Sequence, residues 1–305
     1  MKEILQFCPL CKNGQLKHFE TVIFHDLKIE NQICSHCGFV FQNPRMSGQQ
    51  LSDFYNQSYR ELYQGQANPT ERDLHIQRER SGHLLKILKG NVHLVSRHLD
   101  IGSSAGVLLK TVEAYYNCSS VGVEPGDAYR KFARDFDIDV YSSLQKIRDD
   151  NLGPFDLISM VHVLEHIPDP VSYLSELREL YLDQDGYLLL EVPNLFFHDS
   201  FEIAHMSAFS KHSLSQTLMK SGYSIVESIA HGLPRSKLIP LYLTILAKPV
   251  KNATQNKVKP ELWVKNKRKL GFFYRRIVQK IFPNRSWLPV NHKDSGMEKD
   301  EKSYK

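Results

Sequence analysis

A strand that runs into a glycine-bearing turn and then a helix constrains this chain more than any other feature. Leu99-Asp100-Ile101-Gly102-Ser103-Ser104-Ala105-Gly106 closes an apolar run that starts near residue 93, and Val107-Leu108-Leu109-Lys110 opens the helix. Glycine at 102 and 106 lets the backbone turn tightly and meet a ligand without a Cβ in the way. The free N–H groups of the helix start point back at that ligand. Residues 119–124 form the next strand, and the carboxylate of Glu124 at its end can accept hydrogen bonds from two ribose hydroxyls. The spacing Gly102-x-x-x-Gly106 lacks the third glycine of the dinucleotide fingerprint. No pyrophosphate has to be wrapped, so an adenosine-bearing ligand other than a dinucleotide fits best.

The rest of the chain continues the alternation. Residues 153–161 read as a strand, followed by a helix with Leu174, Leu177, Leu180 and Tyr181 at helical spacing and a buried strand over 186–194. Strand–helix alternation predicts a parallel sheet with helices on both faces. Residues 223–229 and 239–247 are two strands separated only by the turn-rich Gly232-Leu233-Pro234-Arg235, which predicts an antiparallel pair. The expected fold is therefore α/β, a Rossmann-like doubly wound sheet with a final antiparallel strand pair, plus a small N-terminal ribbon.

With these segments in place, residues 90–248 resemble the class I S-adenosylmethionine-dependent methyltransferases. The likeness rests on the glycine turn, Val123-Glu124-Pro125, Phe155-Asp156-Leu157-Ile158, the run 163–170 (Val-Leu-Glu-His-Ile-Pro-Asp-Pro) and Leu190-Glu191-Val192-Pro193-Asn194. The resemblance implies that Gly102, Ser103, Ser104 and Gly106 line the cofactor and that Glu124 holds its ribose. It also implies that Asp100 reaches the cofactor ammonium, directly or through water, that Leu144 meets the adenine, and that His166 holds the neighbouring loop. Methyl transfer to a hydroxyl benefits from a base that titrates near neutrality, and histidine fits. His205, in a stretch resembling the acceptor-site loop of the family, is the first candidate and His162 the second, with His198 and His212 nearby. No Asp/Asn-Pro-Pro-aromatic tetrapeptide follows residue 161, which argues against amine methylation of nucleobases.

Cys8-Pro9-Leu10-Cys11 and Cys34-Ser35-His36-Cys37 form C-x2-C-x22-C-x2-C. Two such knuckles supply the four thiolates of a closed tetrahedral site, so Cys8, Cys11, Cys34 and Cys37 are expected to hold a structural Zn²⁺. An iron site or a redox dithiol are the alternatives. Cys118 is left over as a small buried hydrophobe. Paired knuckles without a leader sequence suit a reducing cytoplasm.

Ser47 with Gln50 three residues on is a capping box, and the helix it opens carries Leu51, Phe54, Tyr55, Tyr59 and Tyr63. Ribbon, Asn43-Pro44 step and tyrosine helix together resemble a subgroup of methyltransferases associated with sugar and surface-glycan modification, although the second large C-terminal domain of its sugar C-methylating members is missing here. The reading divides the chain into a ribbon (1–45), a helical connector over the cofactor cleft (46–89), the methyltransferase domain (90–248), a basic amphipathic segment (249–290) and a disordered tail (291–305).

Charge is spread unevenly over these parts. Residues 248–285 carry twelve Lys and Arg against one acid, Glu261, in a chain whose net charge is only +5. Trp263, Leu270, Tyr274, Ile277, Val278 and Ile281 are expected on one face of a helix there. Such a segment can dock on the core, lie on an anionic membrane surface through residues 260–282, or meet nucleic acid phosphates. The function expected is methyl transfer from S-adenosylmethionine to a sugar hydroxyl in a nucleotide-sugar or surface-polysaccharide precursor. Two alternatives are an RNA methyltransferase gripping through ribbon and basic segment, and a non-catalytic binder of the cofactor.

Overall fold

Alternation of apolar and polar residues over β1 (Leu16–Phe24) and β2 (Leu27–Cys34) closes an antiparallel hairpin with Phe24 opposite Leu27. β3 (Val40–Gln42) adds to β2; Phe39 and Phe41 pack with the knuckle cysteines, and Val40 packs with Phe19, Leu195 and Phe201. The computed structural model describes residues 2–24, 26–48, 50–51, 54, 68–199, 201–251 and 257–288. Tyr55, Tyr59, Tyr63 and the tail 291–305 lie outside them.

The large sheet is built from β4 (Arg97–Ile101), β5 (Ser119–Val123), β6 (Val140–Tyr141), β7 (Phe155–Val161), β8 (Leu182–Pro193), β10 (Tyr223–His231) and β11 (Tyr242–Pro249), in the order β10-β11-β8-β7-β4-β5-β6. β6, β5, β4, β7 and β8 are parallel; β11 runs against both β8 and β10, the antiparallel pair expected. Leu157, Ile158, Met160, Leu188, Leu189 and Leu190 are fully buried. Covering by helices on both faces is why β7 and β8 read as continuous apolar runs and not as alternating ones. The chain leaves β4 toward β5 and β6 and then crosses back to β7, so the switch point lies between β4 and β7, and a ligand crevice opens beyond their carboxyl ends.

Four strands depart from expectation. β4 starts at Arg97 because Val92 still caps α1 (Glu71–Asn91) and Val95 packs beneath that helix. β8 runs four residues further back than expected, through Gly186, where a Cβ would stand 3.0 Å from the Phe155 carbonyl oxygen. β11 begins at Tyr242, beyond Pro240, which has no N–H for the ladder. β9 (Ser207–Ala208) has no periodic signal at all. It pairs with β3, so a segment far downstream becomes the fourth strand of the ribbon sheet.

The capping box forms as expected. Ser47 N–H donates to Gln50 Oε1 at 3.1 Å, and Gln50 N–H to Ser47 Oγ at 3.4 Å. Leu51 packs with Ala204 and Met206, so the connector starts against the loop that carries His205.

The basic segment forms α7 (Val264–Ile281). Val264, Arg268, Gly271 and Val278 face the protein. Arg268 pairs with Glu20 at 2.9 Å, donates to the Leu195 carbonyl, and stacks on Phe201 and Phe272. Arg275 pairs with Asp199 at 2.6 Å. A side chain at 271 would overlap the Phe196 carbonyl oxygen, so glycine permits the close approach. Val278 therefore leaves the apolar row expected for it, whereas Trp263, Leu270, Tyr274, Ile277 and Ile281 of that row are exposed, as is Phe273.

Candidate active site and zinc ribbon

The glycine turn sits at the switch point. Gly102, Ser104 and Gly106 all have positive φ, at 75°, 51° and 78°. Gly102 and Ser103 both donate backbone N–H groups to the Val123 carbonyl, at 2.7 and 3.0 Å, which ties the turn to the end of β5. A Cβ on Gly102 would overlap Val163, and one on Gly106 would stand 2.7 Å from Ile138 Cδ1. The turn is thus packed from both sides, and Gly106 N-caps α2 (Val107–Tyr116).

Glu124 is buried at the end of β5, where its carboxylate accepts from the N–H of Ser104 at 3.1 Å and of Gly126 at 2.8 Å. These bonds fix the carboxylate against the turn. Asp100 is also buried; burial raises its pKa to about 7, against the hydrogen bond it accepts from Ser159 Oγ at 2.6 Å. His98 Nε2 lies 2.8 Å from the same hydroxyl, and since that hydroxyl donates to Asp100, the His98 proton sits on Nε2. Burial lowers the pKa of His98 to about 3, so the ring is neutral. This line from β4 to β7 escaped sequence reasoning because a buried histidine inside an apolar strand gives no periodic signal.

Ser103 Oγ is buried and has no hydrogen-bond partner among the described residues. An orphaned hydroxyl in a turn of positive-φ residues, beside a fixed carboxylate, fits a polar ligand with a ribose. Leu144, which starts α4 (Leu144–Asp149), packs partly buried against the core, and its carbonyl accepts from Tyr181 Oη at 3.3 Å.

Beyond β7 and β8 lies a second group of side chains. His162 follows β7 directly, in a left-handed conformation, φ 56°. Its Nδ1 is 3.3 Å from Glu165 Oε1 and its Nε2 3.3 Å from Glu191 Oε1. Glu191, fully buried on β8, also meets Arg80 of α1 at 2.9 Å and His231 Nε2 at 3.2 Å, and accepts from Thr244 Oγ1 at 3.0 Å. Burial opposes its charge, but Arg80, His162 and His231 outweigh burial and hold the carboxyl well below the usual range. Burial and Arg80 oppose the charge on His162, but Glu165 and Glu191 raise its pKa above the ordinary value. Glu191 lay within a motif quoted for the family likeness without a role; Arg80, His231 and Thr244 come from three distant elements, so no spacing in the sequence joins them.

His205 lies edge-on to His166, ring centroids 4.7 Å apart, and His166 Nδ1 is 3.1 Å from the Ala204 carbonyl oxygen. His198 faces the Tyr242 ring at 5.7 Å, whereas His212 lies apart on α6 (Lys211–Lys220), bonded to the Lys259 carbonyl. The candidate bases His162 and His205 are thus joined through the Glu165-His166 turn.

The ribbon cysteines also converge. Cys8 and Cys37 sulfurs are 3.6 Å apart, Cys11 and Cys34 sulfurs 3.5 Å, and no disulfide forms. Tetrahedral Zn²⁺ at a Zn–S distance of about 2.3 Å requires sulfurs about 3.8 Å apart, so the four thiols can bind a structural zinc. The ribbon grips the loop that carries His205: the Gln42 N–H of β3 donates to the Met206 carbonyl at 3.0 Å, and Met206 N–H donates to the Glu165 carbonyl at 2.8 Å.

Residues 74–228 match the family described as methyltransferase domain, just over half of the chain. The chain belongs to the class I S-adenosylmethionine-dependent methyltransferases. No curated protein matches the sequence of this methyltransferase. Among solved structures it is similar to an S-adenosylmethionine-dependent methyltransferase from Clostridium acetobutylicum, at 12% identity and TM-score 0.43 over 63% of this chain and 96% of that one. Another from Archaeoglobus fulgidus is 17% identical, with TM-score 0.46 over 56% of this chain and 94% of that one.

Proposed function

We propose that this methyltransferase acts on a hydroxyl of a sugar, in a nucleotide-sugar or a surface-polysaccharide precursor, with His162 as the general base. The observation that carries the reading is the position of His162: one residue from Val163, which packs on Gly102 of the cofactor turn, and between the buried carboxylates of Glu165 and Glu191. Bound S-adenosylmethionine supplies a methyl carbon already activated on a sulfonium, so the protein has to position the acceptor and take one proton. As the acceptor oxygen bonds to the methyl carbon, the methyl–sulfur bond would break and leave S-adenosylhomocysteine, while the acceptor O–H bond breaks and the proton passes to the His162 imidazole. Glu165 and Glu191 orient that imidazole and offset its charge. Arg80, Thr244 and His231 give the same end of the cleft a polar lining suited to a polyhydroxylated ligand.

The test is an acceptor screen that reads formation of S-adenosylhomocysteine, beginning with nucleotide-sugars. Turnover that His162→Ala lowers about a hundredfold or more, with S-adenosylhomocysteine affinity kept, supports the reading. Turnover on RNA and on none of the sugars would replace it with the nucleic acid reading. We also propose that α7 brings the enzyme to an anionic membrane surface, where a lipid-linked glycan precursor is held. Its exposed apolar residues and its excess of basic residues support this.

A further inference from the structure

Glu165, His166 and His205 each place a ligand-type atom within 4.8 Å of the other two. All three side chains are buried, at 2, 9 and 8% exposure. Neither carboxylate oxygen of Glu165 has a hydrogen-bond partner among the described residues; His162 Nδ1, at 3.3 Å from Oε1, is not aligned for one. The His162 imidazole beside it offers a charge but no aligned hydrogen bond, so the lone pairs of this buried carboxylate stay open to a further cation. The tautomer of His166 is set by the backbone. Its Nδ1 faces the Ala204 carbonyl, which only accepts, so the proton is on Nδ1 and the lone pair on Nε2. A histidine that donates one nitrogen to a carbonyl is held in the form in which the other ligates a metal. The two halves of the group are also tied through the backbone, since Met206 N–H donates to the carbonyl of Glu165 itself.

We infer that Glu165, His166 and His205 bind a divalent transition-metal cation inside the acceptor cleft. Two imidazoles and one carboxylate suit Mn²⁺, Fe²⁺, Co²⁺ or Zn²⁺ better than Mg²⁺ or Ca²⁺, and three protein ligands leave positions open for substrate oxygen. This site differs in chemistry from the ribbon, whose four sulfurs close the shell of a thiophilic ion. Its role rests on the hydroxyl-acceptor reading: an acceptor hydroxyl on the cation is polarised and loses its proton more readily to His162, which adjoins Glu165. Cation binding itself does not rest on that reading.

The experiment uses the full chain with zinc in its ribbon, titrated with MnCl₂ while electron paramagnetic resonance reads free Mn²⁺. Manganese is a poor thiolate binder, so the ribbon does not register. The expected result is one Mn²⁺ bound per chain, weakened at least about tenfold in Glu165→Gln and in His205→Asn, with ribbon zinc and S-adenosylhomocysteine binding retained as evidence that both variants fold. No uptake of Mn²⁺, and none of Co²⁺ in a parallel titration, would overturn the inference. So would uptake that both folded variants keep. Manganese bound as expected by a protein that methylates no sugar would sink the acceptor reading and leave the metal site standing.

Discussion

At the scale of single residues the cofactor end of the cleft rests on two acids in opposite states. Glu124 is held by two backbone N–H groups, Ser104 and Gly126. Replacing it with Ala leaves those donors unpaired and removes the proposed ribose acceptor, so S-adenosylhomocysteine affinity should fall at least about tenfold, or about 1.4 kcal/mol. Unfolding free energy should fall by about 1–3 kcal/mol, read from urea midpoints. Asp100 differs because burial raises its pKa to about 7. Ser159 is its hydrogen-bond partner, neutral His98 lies behind that hydroxyl, and the charge of Glu124 adds to the upward shift. Below about pH 4 the folded and unfolded states both keep the Asp100 proton; between there and about pH 7 only the folded state does. Its contribution to stability is therefore full below the unfolded pKa and is lost as pH rises toward the folded one. Asp100→Asn should remove that slope, gaining on the native protein between about pH 5 and 8 in denaturant midpoints. A midpoint difference independent of pH would refute the assignment of a protonated Asp100.

At the scale of elements the ribbon acts as a clamp on the loop of residues 203–208. β3 pairs with β9, and Leu51 from the connector packs on Ala204 and Met206. Cys34→Ser should therefore loosen more than the knuckles: hydrogen exchange should quicken over residues 203–208, while β4 and β5, held in the parallel ladder and paired with no ribbon strand, keep their protection. Equal quickening in both regions would mean global destabilisation and would remove the clamp. The clamp also shows where sequence reading stops. Continuous apolar runs gave β7 and β8, the knuckle spacing gave the thiol cluster, and the glycine pair gave the strand-to-helix turn after β4, because each is a local pattern with one structural solution. β9 is two residues long and buried between modules, and its pairing with β3 is a long-range contact no period can carry. The same holds for Glu191, whose partners Arg80, His162, His231 and Thr244 come from α1, the turn after β7, β10 and β11. Sequence named His162, His166, His198 and His205 but not His231, and it added His212, which lies apart; only their neighbours separate His162, between two carboxylates, from His205, beside His166.

At the scale of the whole molecule α7 has two faces with different tasks. One is spent on the protein through Val264, Arg268, Gly271, Arg275 and Val278. The opposite side leaves Leu270, Phe273, Ile277 and Ile281 in an exposed row, Leu270 at 67% exposure, with Trp263 at its start. Beside that row, Lys265, Lys269, Arg276 and Lys280 share one side of the helix at spacings of four, seven and four, and no acid falls within α7. Among the described residues no helix is long and apolar enough to cross a membrane, but a cationic row next to an apolar one suits the boundary between lipid headgroups and chains. Phosphate groups of RNA would use the lysines and leave the leucine and isoleucines in water, so lipid accounts for both rows. The protein should float with vesicles of phosphatidylglycerol and phosphatidylcholine and stay behind with phosphatidylcholine alone, with binding that weakens as salt rises. Leu270→Glu with Ile277→Glu should abolish flotation, because both side chains point away from the core and their replacement leaves the docked face of α7 intact. S-adenosylhomocysteine binding by this variant then separates a lost membrane contact from a lost fold. Flotation on anionic vesicles that the folded variant retains would move the contact elsewhere on the surface; no flotation by the native protein would leave α7 as a helix that only docks on its own core.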